Sequence, residues 1–356
     1  MGTAELSQQP WMSEPPPRST PVPRSREGHG IRHILACLDR SPQSEVTLPY
    51  AVFLARTFGA RLTLLYVMQP PIDRSGAPTT DALAWEISRQ EAASYLARHE
   101  KEAAQASGQP VQVRLEQGHP AERIIAIARE VAADLTVLGS HGAGGVTAWN
   151  LGSTVQQVLA VSRGSVLVAP SPSTSTTQSV VSPKRILVPL DGSLRTESVL
   201  PTVARIANMH GADVLLVHVV PEPVPSALLR DPADLALAHE LAGRLEARAK
   251  SYLEGIRDQL ARDVASVRSL VVRHPDERQS LLELSQREGI DLVVLSAHGS
   301  TCNPARTLGS VAVHLLSHSM VPLLVLQDLP ESELRHPSEE SEHAPPLRSS
   351  HPPGSP

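Results

Sequence analysis

A pattern of small residues is written twice in this chain of 356 residues. The first copy reads Gly139-Ser140-His141-Gly142, nine residues, Gly152-Ser153, and the second Ser296-Ala297-His298-Gly299, nine residues, Gly309-Ser310. Gly142 and Gly299, like Gly152 and Gly309, stand 157 positions apart, as do Asp134-Leu135 and Asp291-Leu292. Upstream, Asp39 and Asp191, Pro49 and Pro201, and Gly59-Ala60 and Gly211-Ala212 keep an offset of 152. The chain is a tandem duplication with a net insertion of five residues ahead of the second loop, and any fold assigned to one half has to serve the other.

Hydrophobic periodicity supplies that fold. In repeat one, apolar strands are expected at 31–38, 61–68, 111–116, 135–139 and 165–169, with helices at 43–58, 81–106, 121–132 and 151–162. Gly59 stops the first helix and Asp81 caps the second. Pro49 and Pro201 each fall about six residues into a helical segment. Repeat two copies the order, with strands near 185–190, 213–220, 267–272, 292–296 and 323–326. Its long helix carries Leu237, Leu241, Leu245, Ala249, Tyr252, Ile256 and Leu260 at three- and four-residue steps, a stripe expected to be core. Strands apolar on both faces, alternating with helices, predict a parallel sheet covered on both sides, so each repeat reads as a doubly wound α/β domain.

Around these domains (30–170 and 184–328) the sequence changes character. Residues 1–29 and 329–356, rich in Pro, Ser and charge, are expected to be disordered tails, and 171–183 a Ser/Thr linker. The apolar fraction is 41% but only 3% is aromatic, so the cores must be built from Ala, Val, Leu and Ile. A net charge of −5 gives no electrostatic footprint for nucleic acid or an anionic membrane. No apolar run approaches the ~18 residues of a membrane span, and no signal segment is read, so a cytoplasmic location is expected. Cys37 and Cys302 occupy non-equivalent places and make no disulfide framework; Cys37 reads as apolar filler, with redox sensing left open for Cys302.

In doubly wound sheets ligands bind beyond the carboxyl ends of the strands, where the winding reverses. Asp39 and Asp191 follow the first strand of each repeat, and Gly139 and Ser296 end the fourth, so an acidic residue and a glycine loop are expected to face each other across one crevice. Gly139 and Gly142 let amides approach phosphate oxygens, and Gly152-Ser153 opens the next helix with unpaired N–H groups and a hydroxyl. Thr154 and Val311, next to Ser153 and Ser310, join the expected contacts. A Walker loop would supply Gly-Lys-Ser/Thr and a dinucleotide site G-x-G-x-x-G after the first strand; neither is present. His141 and His298 stand beside motif glycines, where phosphate contact and loop packing are both open. His314 and His318, four apart, have no third ligand in view and read as structural.

The G-x-x-G, nine residues, G-[ST] pattern, with the strand-one aspartate and this element order, resembles the universal stress protein family in its ATP-binding branch, as a tandem pair. The resemblance covers about 30–170 and 184–328. It implies five-stranded parallel sheets in the order 3-2-1-4-5 with helices on both faces. It further implies ATP, with Mg²⁺ admitted beside it, held between strands one and four. Adenosine contacts carry over to Asp39 and Val67 in repeat one and to Pro189, Asp191 and Val219 in repeat two. Phosphate contacts carry over to Gly139, Gly142, Gly152 and Ser153, and to Gly299, Gly309 and Ser310. Pairing of the two domains through their fifth strands is implied, with a homodimer and a protein partner left open.

Two departures stand out. Ser296 replaces the first loop glycine of repeat two, and Cys37 replaces the proline that repeat two carries as Pro189. The sequence reading favours repeat one for the phosphates and predicts unequal affinities. With no Lys, nucleophile or base in view, the expected function is a nucleotide-dependent stress regulator rather than a catalyst. Slow Mg²⁺-dependent ATP hydrolysis and a pairing module that binds nothing are the alternatives.

Overall fold

The computed structural model describes residues 30–70, 81–141, 151–170, 182–224, 231–301, 303 and 306–328. Repeat one comprises β1 (His33–Leu38), α1 (Pro42–Glu45), α2 (Thr47–Phe58), β2 (Arg61–Met68), α3 (Ala82–Ser107), β3 (Val111–Gln117), α4 (Pro120–Glu130), β4 (Leu135–Gly139), α5 (Ser153–Val161) and β5 (Ser165–Ala169). Repeat two copies it with β6 (Arg185–Pro189), α6 (Leu194–Glu197), α7 (Leu200–His210), β7 (Asp213–Pro221), α8 (Pro232–Leu260), β8 (Val267–His274), α9 (Glu277–Arg287), β9 (Leu292–Ser296), α10 (Ser310–His318) and β10 (Leu323–Leu326).

All ten strands form one sheet, ordered β3-β2-β1-β4-β5-β10-β9-β6-β7-β8, so each half has the expected 3-2-1-4-5 order. Pairing is parallel within each repeat and antiparallel at the seam, where Val168 faces Leu323, Leu167 Leu324 and Val166 Val325. The fifth strands thus join the repeats inside one chain. Antiparallel joining also turns the halves end for end: the carboxyl ends of the repeat-two strands share an edge with the amino ends of the repeat-one strands.

Residue alternation along the central strands feeds two buried layers that run through both repeats. Ile34, Ala36, Leu62, Leu64, Val137 and Val188 pack under α2, α3, α7 and α8. Leu35, Leu65, Leu138, Leu187, Val293 and Leu295 pack under α4, α5, α9 and α10. The first layer is stitched across the seam, where Arg205 Nε donates to the Thr57 carbonyl at 2.9 Å and the Phe53 and His210 rings lie 4.6 Å apart. Among the described residues no helix is long and apolar enough to cross a membrane.

Two expectations are corrected. The helix expected over 43–58 is two, broken at Val46, so that Pro49 falls in the first turn of α2 and Pro201 in the first turn of α7. Proline has no N–H to give and crowds the carbonyl four residues back, so the chain restarts the helix just before it. The second correction concerns the α8 stripe. Ala249, Ile256 and Leu260 are buried, but Leu237, Leu241 and Leu245 are 66%, 56% and 40% exposed. A helix of 29 residues is about 43 Å long, whereas the nine residues of β7 span about 30 Å, so the first turns of α8 overrun the sheet. Leu83 and Ile87 of α3 are exposed in the same way. Leu253→Ala, at a fully buried position, is expected to cost about 2–5 kcal/mol in urea unfolding. Leu241→Ala should stay within about 0.5 kcal/mol; equal costs would contradict the overrun.

Candidate functional site

The crevice of repeat two is built from the turn after β6 and the loop after β9. Leu190 N donates to the Val217 carbonyl at 2.8 Å, the last rung before the chain turns. Asp191 Oδ1 then accepts from Ser193 N and from Thr196 Oγ1, each at 2.9 Å. Its Oδ2 accepts from Ser300 N, across the crevice, at 2.6 Å. Burial alone would raise the Asp191 pKa, but the hydrogen bonds from Ser193, Ser300 and Thr196 outweigh it and hold the carboxyl below its ordinary value. Repeat one repeats the turn: Asp39 Oδ1 accepts from Ser41 N at 2.9 Å, and Asp39 N donates to Ser44 Oγ at 3.0 Å.

The loop opens as Ala297 N donates to the Leu326 carbonyl at 2.7 Å, and it closes as Gly309 N returns to the Ala297 carbonyl at 2.7 Å. Ser140 N to Ala169 O and Gly152 N to Ser140 O make the same pair in repeat one, at 2.7 and 2.9 Å. Space is tight at two glycines. A Cβ on Gly299 would lie 2.5 Å from Asp191 Oδ2, and one on Gly309 would lie 3.2 Å from the Ala297 carbonyl oxygen. Gly152 and Gly309 are the N-caps of α5 and α10 and, as glycines, give the first amides of these helices no side-chain cap. Each therefore presents the positive end of its dipole to the crevice.

The repeat-two crevice is a cleft of about 370 Å³, and Pro189, Asp191, His298, Gly299, Gly309, Ser310 and Val311 all line it. Val219 does not; like Val67 in repeat one, it packs against the helix-covered core. Asp39, Gly139, Gly152, Ser153 and Thr154 hold the matching places at the ends of β1 and β4 and the start of α5. His141 Nδ1 lies 3.1 Å from Ser140 Oγ. Gly142 and Cys302 lie outside the described residues. Cys37 is buried, and burial pushes its thiol up, as expected for filler.

Several cleft residues were not legible in the motif. Thr196 repeats Ser44 at the 152 offset, a signal open to inspection. Glu277 lines the cleft, its carboxyl pushed up by desolvation and then by the Asp191 charge. Ser296, standing where the pattern has glycine, is 5% exposed, and its Oγ has no hydrogen-bond partner among the described residues.

His298 is turned into the protein. Its backbone N donates to Asp328 Oδ1 at 3.0 Å, Nδ1 lies 2.9 Å from the same oxygen, and Nε2 lies 2.8 Å from the Arg306 carbonyl. Arg195 closes on Asp328 Oδ2 at 3.0 Å. Of the two uses open to this histidine, loop packing is the one its ring nitrogens serve. His314 and His318 stack at 4.3 Å, with His318 Nδ1 on the His314 carbonyl, a helix-end arrangement. Among the described residues no cluster of three metal-binding side chains is found.

The sequence model of the universal stress protein family matches residues 30–170 and 183–327. A universal stress protein of Methanocaldococcus jannaschii is 29% identical over 157 residues, which are 40% of this chain and 94% of that protein. One from Mycolicibacterium smegmatis is 24% identical over 304 residues, covering 83% of this chain and 96% of that protein. The crystal structure of a universal stress protein from Archaeoglobus fulgidus aligns with a TM-score of 0.56 at 17% identity, over 84% of this chain and 97% of that one, a likeness of fold. With both repeats matched by one family, this chain belongs to the universal stress protein family as a tandem pair of its domains.

Proposed function

We propose that this protein binds ATP in the repeat-two cleft and acts as a nucleotide-dependent regulator. The phosphates rest on the amides of the loop from Gly299 to Ser310, and the adenosine lies toward Pro189 and Asp191. The observation that carries this reading is the Ser296 hydroxyl, buried in the cleft wall without a partner among the described residues. Such a group costs about 1–3 kcal/mol unless something arrives to bond it, and the loop amides and the α10 dipole beside it select an anion. Asp191 argues for binding over hydrolysis. Three of the about four acceptor positions of its carboxylate are already used by Ser193, Thr196 and Ser300, which leaves little for Mg²⁺.

Repeat one is proposed as a second site of different affinity, since Cys37 and Gly139 stand where repeat two has Pro189 and Ser296. The regulatory output is a change in the surface that the cleft rim around Gly299 and Ser300 offers to a protein partner once phosphate is bound there. Equilibrium dialysis against ATP tests the reading, and no binding at millimolar ATP overturns it. Ser296→Ala should weaken ATP about two- to tenfold, the loss of one hydrogen bond. The same change should leave unfolding stability equal or higher, because it removes an unsatisfied group. Unaltered affinity would show that the hydroxyl does not meet the nucleotide.

A further inference from the structure

We infer that this protein pairs with a second copy of itself through the first turns of α8, which meet antiparallel across a two-fold axis at Leu241. The nucleotide reading plays no part in this. α8 lies over β7 and β8, and β8 is an outer edge of the ten-stranded sheet. The turns that overrun the sheet therefore stand at a corner of the molecule, where another molecule can approach them.

Along those turns, Asp234, Leu237, Leu241, Leu245 and Arg248 follow one another at steps of three, four, four and three residues. At about 100° per residue they fall within an arc of about 80°, so they form one face. All five are exposed, and neither the Asp234 carboxylate nor the Arg248 guanidinium holds a hydrogen bond or ion pair among the described residues. Neighbouring charges on the helix differ: Arg244 donates to Glu240 and Lys250 to Glu246, each at 2.6 Å.

The steps read the same from either end, but the charges at the two ends are opposite. Laid antiparallel with Leu241 on the axis, Leu237 of one copy meets the partner's Leu245, and each Asp234 meets the partner's Arg248. The same contact is made twice, as a closed two-fold interface requires. Laid parallel, Asp234 would face the partner's Asp234 and Arg248 the partner's Arg248, so the end charges select the antiparallel register. A second copy supplies the leucines and the opposite charges together, at the spacing the face demands.

The duplication shows that the fold itself does not ask for this face. Four buried positions of α3 and α8 match at an offset of 157: Ala92 and Ala249, Leu96 and Leu253, His99 and Ile256, and Ala103 and Leu260. At that offset Leu241, Leu245 and Arg248 correspond to Ala84, Ser88 and Glu91 of α3. The buried stripe is common to both repeats, and the exposed one belongs to repeat two alone. A few turns of helix make an interface below the standard size, so the expected dimer is weak, with a Kd on the order of 10 µM.

Sedimentation velocity on the full chain, from about 1 to about 300 µM, tests this, and the parent should pass from monomer to dimer over that range. Asp234→Arg and Arg248→Asp should each weaken the dimer by about tenfold, because each sets like charges against one another at both ends of the contact. The double variant Asp234→Arg/Arg248→Asp should return to within about threefold of the parent, since opposite charges meet again. Leu241→Asp should stay monomeric, whereas Leu83→Asp, at an exposed position on α3, should match the parent. Unchanged urea midpoints at about 1 µM, where the parent is monomeric, show that the variants fold. A parent still monomeric at about 300 µM overturns the inference and leaves the stripe to another segment of this chain or to a different protein. A dimer that survives Leu241→Asp overturns it as well, as do single charge variants that match the parent or a double variant no stronger than the singles.

Discussion

Gly299→Ala is expected to weaken ATP binding at repeat two by at least about tenfold and to destabilise the protein by about 1–3 kcal/mol. The added Cβ would lie 2.5 Å from Asp191 Oδ2, well inside contact distance. Asp191 is poorly placed to retreat, because its carboxylate is tied to Ser193, Thr196 and Ser300. One side must give. If Asp191 swings away, it surrenders the Ser300 amide and the turn that orients it. If the loop lifts, the amides no longer converge and the wall around Ser296 opens. Either response spoils the phosphate cradle, and both lose charge-assisted hydrogen bonds worth about 1.5–3 kcal/mol each. The matched control is Gly255→Ala in α8, where a Cβ would meet nothing within 4 Å. There the same methyl should stabilise by about 0.5–1 kcal/mol through helix propensity alone. Urea midpoints and ATP dialysis on the pair separate a clash from a generic glycine effect. Undiminished ATP affinity in Gly299→Ala would remove this loop from the binding site.

The parts of this architecture that were legible in the sequence are those written twice or written locally. Offsets of 152 and 157 mark Asp191, Gly299 and Gly309, and these three line one cleft. The strand order and the meeting of the fifth strands came with the family resemblance, not from periodicity. Periodicity gave the buried face of α8 but not the extent of the sheet beneath it. For that reason Leu237, Leu241 and Leu245 were assigned to a core that ends a few turns earlier. Val67 and Val219, which the resemblance carries over as adenosine contacts, are partly buried and pack against the helix-covered core. Asp328 was invisible for a different reason. It occurs in one copy only, with Ser171 at the equivalent position, and its partners His298 and Arg195 lie far away in sequence. Motif reading finds residues that face a ligand; residues that brace the loop from behind carry no fixed spacing to it.

That bracing pair supplies the second large effect: Asp328→Ala should cost about 3–5 kcal/mol near pH 6. The His298 and Asp328 side chains are each 1% exposed. His298 is flanked by a carboxylate and a carbonyl, both acceptors, an arrangement that both ring nitrogens satisfy as donors only when the ring is protonated. Burial works against that charge, but the Asp328 carboxylate and the Arg306 carbonyl outweigh it and raise the His298 pKa. Asp328 answers in kind: burial pushes it up, and His298 and Arg195 pull it further down. Removing the carboxylate leaves a protonated ring buried without its counter-charge, and the ring escapes by giving up its Nδ1 proton while Nε2–H stays on the Arg306 carbonyl. The pH dependence has two flanks. A raised histidine pKa contributes stability fully below its unfolded value of about 6.5, and that contribution drains away as pH rises through the folded value. A lowered aspartate pKa contributes fully above about 3.9 and drains away as pH falls through the folded value. The stability gap between the parent and Asp328→Ala should therefore be widest between about pH 4 and 6.5 and shrink on both sides. Urea unfolding across pH 3 to 9 reads it directly, and a gap that is flat from pH 5 to 9 would mean that His298 is neutral in the folded protein. Because the Arg306 carbonyl belongs to the loop that closes at Gly309, deprotonation of His298 is expected to loosen the proposed phosphate cradle as well. ATP affinity at repeat two should fall on the alkaline side in step with the stability gap.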